Sequence, residues 1–228
     1  MKTSTSPSPW QTALGQRLAQ AMSSARLAHA PQADADVPHS THWQLPPRDP
    51  SRCAAGPALA ELVGAAATPA LLAQCLRHYR QQLAGAASHD DLGLALAAYL
   101  GACRQAFDQE ALTPQRWQAV VQWLHAWVLD ELPWDDVPLA QRQDAFERFA
   151  VLAVALGEWT VQASRQGQAA LASATWMARN SLRGQLGLDL PELCAVLRSL
   201  DAATAANPSA SPADLGAAAA SRPGAKPV

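Results

Sequence analysis

Residues 117–159 read WQAVVQWLHAWVLDELPWDDVPLAQRQDAFERFAVLAVALGEW, and this stretch decides the fold. It carries five of the chain's eight tryptophans: Trp117, Trp123, Trp127, Trp134 and Trp159. Trp117, Val120, Val121, Leu124, Trp127 and Val128 recur at the spacing of one helix face, and Trp123 widens that stripe. Gln115, Gln118, Gln122 and His125 fill the remaining face. Leu139–Ala163 then forms a second, longer helix that is apolar around most of its girth. Helices of this kind must be wrapped by other helices or by a partner. The stretch therefore predicts the middle of an all-helical core, with Trp117, Trp127 and Trp159 inside it. Trp134, in the acidic connector Asp130–Asp136, is the tryptophan expected to be exposed. Trp123 is the second candidate for an outward-facing site.

Working outward, helix starts and stops are written plainly. Thr68-Pro69 and Thr113-Pro114 each pair a capping residue with proline at the first turn. Asp90 or Asp91 caps a helix to about Phe107. Gly167 breaks the long helix before a further one over Ala169–Gly184, and Pro191–Leu200 closes the domain. Connections of a few residues between such helices imply antiparallel neighbours, hence an up-down bundle of about six helices over 57–201. Ahead of it, Trp10, Leu14, Leu18 and Met22 mark an amphipathic helix within 1–30. Residues 31–56, with Pro38, Pro46, Pro47 and Pro50, read as a linker that leaves this helix an appendage. Residues 202–228 are rich in Ala, Pro, Ser and Gly without periodicity and read as a disordered tail.

Composition narrows the classes. Alanine dominates the 49% hydrophobic content, which favours helix. The formal charge is −2, so no global footprint for nucleic acid exists. Only Lys2 and Lys226 are lysines among 17 basic residues, a bias that suggests GC-rich bacterial coding. Cys53, Cys75, Cys103 and Cys194 form no C-x-x-C pair, and a reduced compartment is the simpler reading. The Pro/Ser-rich N-terminus has no apolar signal region, and no stretch is long enough to span a membrane. These features predict a cytoplasmic chain.

Chemistry is hard to find. Nucleophile elbows, phosphate loops and dinucleotide fingerprints are absent. Glu147 and Glu158 share a helix face but stand roughly 16 Å apart along the axis, too far for a carboxylate pair. Ion pairs with Arg148, Arg165 or arginines of the next helix are expected for both. A di-iron bundle site needs Glu-x-x-His on inward faces, and none is present. His39-x-x-His42 is the densest ligand-like cluster, but its Pro-rich segment cannot fix a geometry. Arg179, Arg183 and Arg198 form a modest basic patch, read as a solvated face or as the complement of the two glutamates.

The run Ala140-Gln141-Arg142-Gln143-Asp144-Ala145-Phe146-Glu147, with its Q-x-x-x-E spacing, is followed by Gly187-Leu188-Asp189-Leu190. With the Ala-rich helix over Asp90–Phe107, these residues resemble an uncharacterised family of small bacterial helical domains of unknown function, over roughly Leu71–Leu193. The resemblance implies a helical fold and a bacterial source. No catalytic residues are established for such a family. Its members often carry an export signal, from which this chain departs. Physically, Gln143 and Glu147 lie one turn apart and can bridge to a neighbouring helix, while Gly187-x-Asp189 ends one helix and caps the next.

The expectation is a non-enzymatic bacterial interaction protein, without cofactor or metal, acting as an adaptor, accessory or chaperone-like regulator of assembly or secretion. Trp10, Leu14, Leu18, Met22, Trp123 and Trp134 are its candidate partner-binding residues. The alternative is a carrier or sensor of apolar small molecules or lipids, with a pocket lined by Trp123, Trp127 and Trp159.

Overall fold

A computed structural model describes residues 9–27, 44–46, 48–49, 52–82, 90–110, 113, 117, 120–121, 123–124 and 136–206. Its helices are α1 (Pro9–Leu27), α2 (Gly56–Val63), α3 (Pro69–Gln82), α4 (Leu92–Asp108), α5 (Leu139–Gln166), α6 (Gln168–Leu186) and α7 (Leu190–Ala206). Trp117, Val120, Val121, Trp123 and Leu124 are also helical. The one sheet among the described residues is a two-residue antiparallel ladder, β1 (Gln44–Leu45) against β2 (Asp90–Asp91), with Gln44 opposite Asp91. The fold is all-α, as the patterning requires.

Local chemistry sets the ends of these helices. Thr68 Oγ1 accepts from the Leu71 N–H at 3.2 Å, and Asp91 accepts from the Leu94 N–H at 2.9 Å. Both satisfy N–H groups that a first turn leaves unpaired. Gly167, at φ 102°, separates α5 from α6, where an L side chain would be strained. The Gly187-x-Asp189 reading holds: Gly187 caps α6 in the left-handed conformation, and Asp189 Oδ1 accepts from the Glu192 N–H at 3.4 Å. α7 runs on to Ala206, beyond the expected start of the tail at 202. Residues 207–228 lie outside the described residues.

The core is built on α4 and α5. α4 is buried around nearly its whole circumference from Leu92 to Ala106, with Leu94 and Gln105 half-buried, and its surface is mostly Leu, Ala and Gly, which lets neighbours approach closely. α5 presents Phe146, Phe149, Ala150, Leu152, Ala153 and Leu156 to it. Tyr99 stacks on Phe149 at 5.4 Å, and Tyr79 meets Phe146 edge-on at 5.6 Å, geometries that aromatic quadrupoles favour. α2 and α3 cover one side of α5, α6 folds back along it, and α7 rests on α4.

The first helix departs from the sequence reading. Leu14 and Leu18 are completely buried, and Met22 is 3% exposed, so the apolar face of α1 is part of the common core rather than an appendage. α1 packs on α6 and α7. A side chain at Gly15 would collide with the Leu186 carbonyl oxygen, which shows how closely the two backbones approach.

Candidate functional site

The candidate residues separate into three groups. Leu14, Leu18, Met22 and Trp123 are buried within the chain's own core, and Trp10 is half-buried against it. Side chains so covered cannot anchor an outside partner in this packing. Trp134 and Trp127 lie outside the described residues, as do His39 and His42. Trp117 is half-buried. Trp159, expected in the core, is 41% exposed because its position on α5 falls beside the buried face rather than within it.

The exposed apolar residue that the sequence reading missed is Trp176, at 65% exposure. A helical wheel reveals it. Leu171, Ala174, Ala178 and Leu182 define the inner face of α6, and Trp176 stands opposite them. Ala172, Ser173, Arg179, Asn180 and Arg183 surround it on the exposed side. Gly167 folds α6 back on α5, and Trp159 and Trp176 lie eight and nine residues from that turn, so both stand at the same level of the hairpin.

An open groove of about 660 Å³ runs between α4 and α5. Its floor is Ala98, Gly101 and Ala102 of α4 with Ala153 and Gly157 of α5. Val154, Val161 and Trp117 add apolar wall, and His78, Gln105, Glu158, Gln162 and Arg165 form a polar rim. The groove exists because five facing positions carry at most a methyl group. Trp123 and Trp159 do not line it. At one rim, His78 Nδ1 and Glu158 Oε1 stand 2.6 Å apart across α3 and α5.

A second polar assembly lies at the other end of α5. Glu147 is 2% exposed. Its partner is neither Arg148 nor an arginine of the next helix, but Arg48 from the segment expected to be a linker. Arg48 Nε donates to Glu147 Oε1 at 2.8 Å, and Nη2 donates to Oε2 at 2.5 Å and to Asp144 at 2.6 Å. The Ala54 N–H donates to Glu147 Oε2 at 3.0 Å, and Gln143 donates to the Pro46 carbonyl at 3.0 Å. Gln143 and Glu147 thus bridge, one turn apart, to Pro46, Arg48 and Ala54 rather than to a helix. The hydrogen bond to Glu147 raises the Arg48 pKa further above its ordinary value, against the opposing effect of burial. A bidentate guanidinium–carboxylate pair of this kind fixes geometry as well as charge. Nearby, Arg80 grips Asp90 with two bonds of 2.9 and 2.7 Å and so ties α3 to the small ladder.

Arg179, Arg183 and Arg198 all have exposed side chains, so the basic patch is the solvated face of the two readings, and its acidic partners are Asp108 and Asp189 rather than Glu147 or Glu158. Arg198 holds Asp108 at 2.9 Å, with Arg104 on the same carboxylate at 3.2 Å. Burial alone would raise the Asp108 pKa, but the bonds from Arg198 and Arg104 bring it below the ordinary carboxylate value. Arg179 and Arg183 reach Asp189 only at 3.4 and 4.0 Å, and both stay exposed.

The four cysteines are free thiols. Burial, aided by Glu147, pushes Cys53 up to about 11, and burial pushes Cys194 up to about 12. Cys75 and Cys103 shift upward for the same leading reason. Protonated thiols are poor nucleophiles, so these sites behave as small apolar side chains. Among the described residues, no three His, Cys, Asp or Glu side chains converge as metal ligands. No described helix is long and apolar enough to cross a membrane.

Fold and site together define an all-helical bundle with a groove between its two central helices and an exposed tryptophan on an outer one. The chain belongs to a family of unknown function, DUF6683, which it matches over residues 4–193. The match takes in α1 and the segment holding Arg48, beyond the Leu71–Leu193 range suggested by the motifs. No curated protein and no solved structure matches the chain.

Proposed function

We propose that this chain is a non-enzymatic interaction protein that docks a protein partner on the outer face of α6. The observation that supports this reading is Trp176, 65% exposed and bordered by Arg179 and Arg183. Tryptophan and arginine are among the residues most enriched at binding hot spots. A photo-crosslinker at Ser173 tests the proposal. The expected result is one discrete adduct in cells, lost in Trp176→Ser and retained in Trp123→Phe. No adduct, or one indifferent to Trp176, counts against it. The accompanying reading is a cytoplasmic bacterial accessory protein without a nucleic-acid partner. Fractionation and a salt-resolved binding assay with DNA and RNA check those parts.

The groove supports a second reading, a carrier or sensor of apolar small molecules or lipids. Its volume of about 660 Å³ falls in the range of ligand clefts, and its floor is apolar with a few polar groups at the rim.

A further inference from the structure

The charged groups on the polar rim of the groove are not all engaged. Glu158 already has a partner in His78 Nδ1 at 2.6 Å. Arg165 lines the groove without an acidic partner among the described residues. Glu158, the nearest carboxylate before it on α5, is seven residues back, about 10 Å along the axis. Position alone would account for an arginine in a last turn, where the helix dipole favours a cation. Its place on the groove goes further, because Gln105 and Gln162 add neutral hydrogen-bonding groups to the same rim. A bound cation would face an uncompensated guanidinium; a bound monoanion would complete a charge-assisted pair.

We infer that the groove takes a small molecule with an apolar body and a carboxylate head, the body along the Ala/Gly floor and the head on Arg165. This rests on the carrier reading given above. The floor suits an unbranched or flat apolar body, because Ala98, Gly101, Ala102, Ala153 and Gly157 leave a trough with no projecting side chains. From Ala153 to Arg165 the groove follows twelve residues of α5, about 18 Å of helix. The planar guanidinium fork matches the two oxygens of a carboxylate bidentately.

A Cβ at Gly157 meets nothing within 4 Å, so Gly157→Leu places a side chain in the trough without a backbone clash. Replacing a mid-helix glycine also raises helix propensity, so this plugging variant is expected to fold. The experiment is calorimetric titration of the full chain with octanoate and, separately, 1-octanol. Octanoate is expected to bind saturably at one site, with octanol about three- to fivefold weaker, the advantage an exposed ion pair provides. Arg165→Gln should erase that difference, added salt should shrink it, and Gly157→Leu should abolish binding of both. Equal affinity for the two ligands, or an octanoate preference that survives Arg165→Gln, overturns the carboxylate assignment and leaves the carrier reading standing. Absence of saturable binding by either ligand, or binding unchanged in Gly157→Leu, overturns both.

Discussion

Glu147 and Glu158 stand on nearly the same face of α5, since eleven residues complete three turns with a remainder of about 20°. Their surroundings are opposite. The Glu147 side chain is 3% exposed and held by Arg48 and the Ala54 backbone; that of Glu158 is 58% exposed and meets His78. The difference lies in what covers each turn. Pro46, Arg48 and Ala54 are tied to the first half of α5, and α1 packs on the facing end of α6, so that half is dry. The second half borders the groove and carries the exposed Trp159 and Val161. One helix thus serves as a scaffold at one end and as a receptive surface at the other.

The largest expected effect comes from Glu147→Ala, which removes the acceptor of the Ala54 N–H and leaves Arg48 with Asp144 as its acidic partner. Breaking a buried pair costs about 3–5 kcal/mol, and the retained Asp144 contact places this loss toward the lower figure. Denaturant unfolding measures it, and a cost no greater than that of a Glu158 variant would erase the contrast between the two halves. The double variant Arg48→Met with Glu147→Leu sharpens the point. It should recover most of the stability, because apolar replacement of a buried pair is often neutral.

Gly15→Ala comes next. The added methyl meets the Leu186 carbonyl, so α1 must shift, at about 1–3 kcal/mol. Hydrogen exchange should show faster opening of α1 and of the end of α6, with α4 protected as before. Uniform exchange across the chain would mean that α1 is not a separate contributor to the dry end.

Asp108 gives a smaller, pH-dependent effect. Its folded pKa lies below the ordinary 3.8, so its contribution is fully present above that value and is lost as pH falls through the lower folded one. Stability of the wild type measured from pH 5 downward should therefore fall more than that of Asp108→Asn. Parallel curves would refute the role of Arg198 and Arg104.

Glu158→Gln should change stability by about 0.5 kcal/mol or less, because exposed pairs contribute little. A larger loss would show that the His78 contact is structural and the groove rim is not free to respond to a ligand.

Legibility of the fold in the sequence follows the same division. Thr68, Asp91, Gly167 and Gly187 announced their roles because capping and helix termination depend on residues a few positions apart. The helical character of α4 and α5 was legible for a related reason, since helix starts, stops and apolar content are local properties. The site was less legible. Leu14, Leu18 and Met22 had the spacing of a docking helix, and that spacing is identical whether the groove belongs to a partner or to α6 and α7. Trp176 was readable from the wheel of α6 but stood outside the Trp-rich stretch that drew attention. The ion partners were not readable at all: Arg48 and Glu147 are 99 positions apart, and nothing local distinguishes Arg48 from Arg52.

The sequence by itself determined the helical class, most helix ends and the absence of familiar catalytic motifs. All of these rest on backbone chemistry and periodicity over a few turns. The tertiary structure decided which apolar faces meet, that Glu147 is buried while Glu158 is not, and that small residues on α4 and α5 line up into a groove. Each of those depends on the distance between elements far apart in the chain, and burial, charge pairing and cavity shape exist only once those elements are packed.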